Sequence, residues 1–251
     1  MYQDTPPAAA TAADKLAPSE LARQARVQFP SAEALAAMLD HTLLKPEATR
    51  EQASALADEA AQYGFACAMV NPAWVPAVRD RLTGTGVRVG TVIGFPLGAS
   101  MAQAKCAEAR YAAQAGALDL DMVLSIGAIR SGLFAEVERE IAGIAEIAHG
   151  EGAILKVILE TCLLTDDEKR KSAELCVQAG ADFVKTSTGF STGGATVADV
   201  QLLRATVGKR CGVKASGGIR GLGDAVRMAQ AGANRIGASA SVAIVEAYKA
   251  L

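Results

Sequence analysis

The sequence predicts an α/β chain built from eight strand–helix units, and three observations predict it. First, the tetrapeptide Gln-Ala-Gly-Ala occurs at Gln114, Gln178 and Gln230, each time ahead of a short strand-like run. Second, each copy closes a helical pattern: SMAQAKCAEARYAAQA before Gly116, TDDEKRKSAELCVQA before Gly180 and GLGDAVRMAQA before Gly232. Glycine at a helix C-terminus supplies a left-handed backbone and stops the helix. The tetrapeptide is therefore a helix-to-strand joint, and Gln62-Tyr63-Gly64-Phe65 reads as a fourth, diverged copy. Third, several of the strand-like runs are apolar on both faces, as strands of a parallel sheet are.

Taken in order, the first strand lies near Leu39–Leu43, after the pattern becomes regular at Ser31. The second, Phe65–Val70, follows the diverged joint, and the third is Val87–Ile93. The fourth, Leu118–Leu124, follows Gly116, and the fifth is Ile154–Leu159. Thr165 then reads as the N-cap of a helix with an acidic first turn, which carries the chain to Gly180. The sixth strand is Phe183–Ser187, the seventh Gly212–Ser216, and the eighth, Arg235–Ala238, follows Gly232. A helical run follows each strand. Eight βα units of about 28 residues suggest a single (β/α)8 TIM barrel. The alternative is an open doubly wound sheet. Such sheets usually carry a Gly-rich fingerprint after the first strand, and LDHTLLKPEAT has none. The barrel domain is expected over residues 31–251. Residues 1–30 are rich in Ala, Pro, Thr and Ser and are expected to be a flexible or loosely helical extension.

Bulk properties narrow the function classes. The chain has 251 residues, 51% hydrophobic and 21% charged, within the range of a soluble domain. Its formal net charge of -2 offers no basic field for nucleic acid or an anionic membrane. No run approaches the ~18 apolar residues of a membrane span. Cys67, Cys106, Cys162, Cys176 and Cys211 lack paired spacing and read as free, mostly buried thiols of a reducing cytoplasm.

Four strand runs carry charges where apolar residues are expected: Asp119 and Asp121, Lys156 with Glu160, Lys185, and Lys214. Burying a charge in a strand is costly unless it is paired. Alternation places Asp119 and Asp121 on one face, and Lys156, Ile158 and Glu160 on one face. In a barrel that face can be the lumen. Two readings stand here. One is a structural ion-pair network filling the lumen. The other is a lysine whose pKa is lowered by burial and a second cation, so that it can attack a carbonyl. Lys185 and Lys214, on neighbouring strands six and seven, suit the second reading in either order. Asp121 would then move protons.

The last loops carry a separate signal. Ser216-Gly217-Gly218-Ile219 follows strand seven, Gly237-Ala238-Ser239 follows strand eight, and Ser187-Thr188-Gly189 follows strand six. Small residues there let backbone N–H groups approach a phosphate, a common arrangement in barrels. Gly189–Gly194 reads as a flexible loop near the site. His41 reads as a satisfied structural histidine, His149 as the end of a surface helix and Trp74 as packing. With two histidines and no paired Cys motif, a metal site is not expected.

The runs LDHTLLKP, VIGFPLGA, DLDMVLSIGAIRSG, LKVILET, FVKTSTGFSTGGAT, VKASGGIR and RIGAS closely resemble the deoxyribose-phosphate aldolase family, in order from about Leu35 to near the C-terminus. The resemblance implies a class I aldolase on a TIM barrel. It implies reversible cleavage of 2-deoxy-D-ribose 5-phosphate to D-glyceraldehyde 3-phosphate and acetaldehyde, without a metal or cofactor. It makes Lys185 the Schiff-base lysine, Lys214 the lysine that depresses its pKa, and Asp121 the proton relay. It gives Asp40 a supporting role in that relay or on a substrate hydroxyl, with Thr42 nearby, and Lys156 an electrostatic or structural role. Thr186, Gly189, Gly217, Gly218, Gly237 and Ser239 would line the substrate and phosphate site. The partners implied are small phosphosugars and aldehydes, with no nucleic acid and no membrane, in a cytoplasmic homodimer or homotetramer.

Three positions depart from the family pattern: Met69 stands where many relatives have a cysteine, Phe190 where some have a lysine and Ala240 where some have a second serine. None touches the lysines, but weaker phosphate affinity is expected. Two other functions are weighed: a phosphosugar isomerase or lyase without a covalent lysine, and a non-catalytic phosphosugar-binding protein.

Overall fold

A computed structural model describes residues 17–251, and in it the eight strands run parallel and close in sequence order, β1 to β8, with β8 paired back to β1. The strands are β1 (Leu39–Leu43), β2 (Cys67–Val70), β3 (Arg88–Ile93), β4 (Asp119–Val123), β5 (Ile154–Ile158), β6 (Phe183–Lys185), β7 (Gly212–Ser216) and β8 (Arg235–Ala238). The open sheet is thereby excluded. Helices α3 (Arg50–Tyr63), α4 (Val75–Leu82) and α5 (Ala102–Gln114) follow the first three strands. The fourth is followed by α6 (Ile126–Arg130) and α7 (Phe134–Gly150). Then come α8 (Asp166–Gln178), α9 (Val197–Val207), α10 (Leu222–Gln230) and α11 (Ser241–Lys249).

The joints behave as their glycines require. Gly64, Gly116, Gly180 and Gly232 all have positive φ, at 65°, 109°, 83° and 110°. A side chain there would be strained, which is why glycine recurs. Thr165 accepts a hydrogen bond from the Glu168 amide, and Glu168 accepts one from the Thr165 amide, so α8 begins with a reciprocal capping box.

Alternation along the strands separates two interiors. Outward residues such as Leu39, Val70, Ile93, Leu120, Met122, Val157, Val184, Val213 and Ile236 pack against the helices as the main core. Inward Cys67 and Met69 of β2 and Val92 of β3, with Leu44 just past β1 and Phe95 against them, form a second, small apolar cluster. The lumen's charges come from Asp40 of β1, Arg88 of β3 and the inward residues of β4–β8.

The expected extension over residues 1–30 needs correction. Residues 1–16 lie outside the described residues. Beyond them, α1 (Pro18–Gln28) is a regular helix, not a loose one, and it packs on α10. Its Ala25 and the following Phe29 are buried. Tyr248 donates to the Phe29 carbonyl at 2.6 Å, and Arg26 donates to the Leu251 carbonyl at 2.6 Å. The spacing of Leu21, Ala25 and Phe29, one helical stripe, is the signal that composition hid. Ser31 caps the short α2 (Ala32–Ala36) that leads into β1.

Candidate active site

Register brings the charged residues together. Asp121 on β4 lies beside Lys156 on β5, and Lys185 on β6 lies beside Lys214 on β7. Three carboxylates (Asp40, Asp119, Asp121) face four cations (Lys156, Lys185, Lys214, Arg235), with Arg88 reaching in to Asp119 from below. All three carboxylates are fully buried. Each pair strengthens in the low dielectric of the lumen, and an unpaired member would be costly.

The three lysines differ in how many carboxylates they meet. Lys156 Nζ sits 2.5 Å from Asp119, 3.1 Å from Asp121 and 3.9 Å from Asp40. Lys214 Nζ sits 2.5 Å from Asp40 and 2.6 Å from Asp121. Lys185 Nζ meets one carboxylate, Asp121 Oδ2 at 2.8 Å, and shares that oxygen with Lys214. The consequences follow from charge. Burial disfavours a charged Lys156, but its three acids override this and hold its pKa above the usual value. For Lys185, burial, aided by Lys214 and opposed by Asp121, brings the pKa down to about 8. Burial alone would raise the pKa of Asp121, yet Lys156, Lys185 and Lys214 together hold it well below the carboxylate range. Lys185 is thus the lysine that most readily becomes a neutral amine, and Asp121 is the anion that links it to Lys214.

The buried charges lie at two depths. Arg88, Asp119, Lys156 and Arg235 form an ion-pair network, with Arg235 donating to both Asp40 and Asp119. Lys185, Lys214 and Asp121 form a second group above it. Asp40 joins the two layers. Thr42 shares the inward face with Asp40, and its hydroxyl donates to the Asp40 carbonyl.

The loop residues divide. Gly189, Gly194 and Gly217 stack backbone to backbone: a Cβ on Gly217 would lie 3.1 Å from the Gly194 Cα and 3.5 Å from the Gly189 Cα. Gly218 and Ser239 are exposed beside them at the C-terminal ends of β7 and β8. Gly237 sits lower, within β8, where a Cβ would collide with Ser216 Oγ and lie 3.2 Å from Lys214 Cε. Its place is to leave room for those groups. Thr186 departs from expectation, because its hydroxyl bridges the Ser216 carbonyl and amide and is committed to the strand ends.

Glu160 also departs. Sequence alternation put it on the Lys156 face as a pairing partner, but β5 ends at Ile158 and Glu160 turns away. It accepts from the Thr188 amide and hydroxyl instead. Ser216 was not singled out individually by sequence. Its Oγ is buried without a hydrogen-bond partner among the described residues, two positions above Lys214 on the inward face. Its period-two relation to Lys214 was the available signal.

The remaining expectations resolve simply. His41 points outward to Glu59 at 2.7 Å and tilts on Phe65. His149 ends α7 and meets Asp182 at 2.9 Å. Trp74 donates to the Ala48 carbonyl. All five cysteines are free, but Cys106 is half-buried and Cys162 exposed, so burial holds for three. Asp40, Cys67 and Asp119 cluster closely enough to suggest a cation site. Their carboxylates are already neutralised by Lys156, Lys214 and Arg235. Among the described residues no helix is long and apolar enough to cross a membrane.

Known proteins are similar to this chain in sequence and fold. A family model described as DeoC/LacD family aldolase matches residues 34–247. A deoxyribose-phosphate aldolase of Geobacillus sp. (strain WCH70) is 54% identical over 212 residues, covering 84% of this chain and 95% of the relative. One of Listeria monocytogenes is 54% identical over 215 residues, covering 86% and 96%. A solved structure titled a unique tetrameric structure of deoxyribose phosphate aldolase from Aeropyrum pernix superposes with a TM-score of 0.84 at 38% identity, covering 93% of this chain and 99% of that one. A lumen whose least-paired lysine is pulled toward neutrality beside a second lysine is what carbonyl chemistry at an amine needs, and the chain belongs to the DeoC/LacD family of aldolases.

Proposed function

We propose that the protein reversibly cleaves 2-deoxy-D-ribose 5-phosphate to D-glyceraldehyde 3-phosphate and acetaldehyde through a Schiff base on Lys185. The observation that carries the residue assignment is the unequal pairing of the lysines. Lys185 has one shared carboxylate oxygen where Lys156 has three carboxylates and Lys214 two. A neutral amine is the nucleophile that carbonyl addition requires.

The open-chain sugar presents its C1 aldehyde to Lys185 Nζ. Addition gives a carbinolamine, and protonation of its hydroxyl releases water and leaves an iminium. The iminium is the electron sink. A base removes the C3 hydroxyl proton, the C2–C3 bond breaks, and its electron pair forms the enamine. C3 leaves as the aldehyde carbon of glyceraldehyde 3-phosphate. Protonation at C2 and addition of water then release acetaldehyde and restore the amine. Each proton must be given and taken beside Lys185. Asp121 is held ionised, so it serves as the bridge, and the Lys214 ammonium, on the same Oδ2, is the proton carrier. Asp40 holds Lys214 from the other side and lies on the face that carries Thr42, where a substrate hydroxyl fits. The phosphate lies at the glycine rim of Gly189, Gly217 and Gly218 near Ser239 and the start of α11. The apolar wall of Leu44, Met69 and Val92 faces the two-carbon fragment.

Incubation with acetaldehyde and sodium borohydride, followed by peptide mapping, tests this reading. One reduced adduct on Lys185 is expected. An adduct on Lys214 would exchange the two lysines, and no adduct on folded protein would end the Schiff-base mechanism.

A further inference from the structure

The mechanism above leaves the buried carboxylate of Glu160 unused. Glu160 is 2% exposed and lies just past the end of β5, beside the site. Among the described residues it is the one non-glycine with positive φ, at 54°. A residue with a Cβ is strained there, and such strain persists where surrounding contacts impose it. Here the contacts are visible. The backbone is held by Thr161 donating to the Thr186 carbonyl at 2.9 Å and by Leu163 donating to the Glu160 carbonyl at 2.9 Å. The side chain is then delivered to the loop between β6 and α9, where Glu160 Oε2 accepts from the Thr188 amide and hydroxyl. Its other oxygen faces the Cys162 thiol at 3.7 Å. The Thr188 hydroxyl accepts in turn from the Phe190 amide at 3.0 Å. Gly189 lies between these two anchored residues.

We propose that Glu160 is the positioning residue of the phosphate rim: its carboxylate fixes Thr188, and Thr188 fixes the Gly189–Phe190 backbone against Gly217. A carboxylate accepting two donors makes a stronger clamp than a neutral acceptor. A backbone rim binds phosphate well only if its amides are already in place, since ordering them on binding costs affinity. The strained turn at Glu160 is what brings the carboxylate to a loop 28 residues later in the chain. The role is in binding and not in the chemistry: among the described residues Glu160 makes no hydrogen bond or ion pair with Lys185, Lys214 or Asp121, and Lys185 acts on it only as a nearby charge.

This inference rests on the phosphate rim proposed above, so the test separates the two. Wild type is first compared on deoxyribose and its 5-phosphate. Glu160→Ala, Glu160→Gln and Thr188→Val are then measured on the phosphate, and Lys185 trapping by acetaldehyde and borohydride is measured in parallel. Acetaldehyde has no phosphate and does not need the rim. Removing binding shared by ground and transition states raises KM without lowering kcat, so Glu160→Ala is expected to raise KM by about tenfold at near-constant kcat. Trapping should stay within about twofold of wild type, and Glu160→Gln, which keeps an acceptor, should recover much of the loss. Combining Glu160→Ala with Thr188→Val should add little to either alone. An unchanged KM in Glu160→Ala overturns the proposal, as does trapping that falls in step with KM. If Glu160→Ala does not fold, Thr188→Val decides, since it leaves the carboxylate in place, and an unchanged KM there overturns the proposal equally. A wild type indifferent to the phosphate removes the rim and this inference together. A wild type that prefers it, with unaffected variants, removes this inference alone.

Discussion

Lys185, Lys214 and Asp121 share one oxygen atom, so no one of them can be altered alone. Burial, opposed by Asp121 and aided by Lys214, brings the Lys185 pKa down to about 8. Its reactive form is the neutral amine, which accumulates as pH rises through that value. The rate of acetaldehyde trapping should therefore climb between pH 6 and pH 9 with a midpoint of about 8. Lys214→Met removes a repelling cation and leaves Asp121 to Lys185 and Lys156. The Lys185 midpoint should then move to higher pH, because the protonated amine is better stabilised. With the proton carrier gone as well, kcat for cleavage should fall by roughly 100-fold or more. A trapping profile in Lys214→Met that superposes on the wild-type profile would show that Lys214 does not tune Lys185. Of these roles, the strand pattern by itself left the order of the two lysines open, and the family resemblance gave the Schiff base to Lys185. The count of carboxylates around each, from strands far apart in the chain, supports the same order.

At the scale of elements, β7 and β8 must approach closely enough for Lys214 and Ser216 to fit beside Gly237. Any Cβ at Gly237 intrudes on both. Gly237→Ala should leave the far-ultraviolet circular dichroism unchanged and lower kcat/KM by at least about tenfold, since a displacement near 1 Å in the reacting groups can cost far more. Steady-state assays against wild type check this, and full activity would mean that Ser216 and Lys214 move aside freely. The strands themselves were legible in the sequence: β1, β7 and β8 end where the sequence pattern ends them, and the glycine joints hold the left-handed backbone that their spacing implied. Legibility failed where a distant contact overrode a local pattern. Period-two alternation put Glu160 beside Lys156, but Thr188 captures it and ends the strand early. Thr186 looked free for substrate, yet it is spent on the Ser216 backbone. α1 was hidden because composition, unlike helical spacing, does not register Ala25 and Phe29 as a stripe against α10.

For the whole molecule, that stripe makes α1 a stave of the barrel and not an appendage. Phe29 is 1% exposed, and its carbonyl is held by Tyr248 of α11. Phe29→Ala should destabilise by about 3–5 kcal/mol, from lost burial and the cavity left behind. For a domain of this size that lowers Tm by roughly 6 °C or more. Differential scanning calorimetry measures it, and a shift under about 2 °C would mean that α1 contributes little to the fold. The Arg26 guanidinium, one turn earlier in α1, grips the Leu251 carbonyl just past α11. Each strand–helix unit returns the chain to the floor of the barrel, so α11 finishes on the side away from Lys185. A resin bead, a reporter or a second enzyme tethered through Leu251 would therefore hang beneath the barrel and leave the approach to the lysine clear.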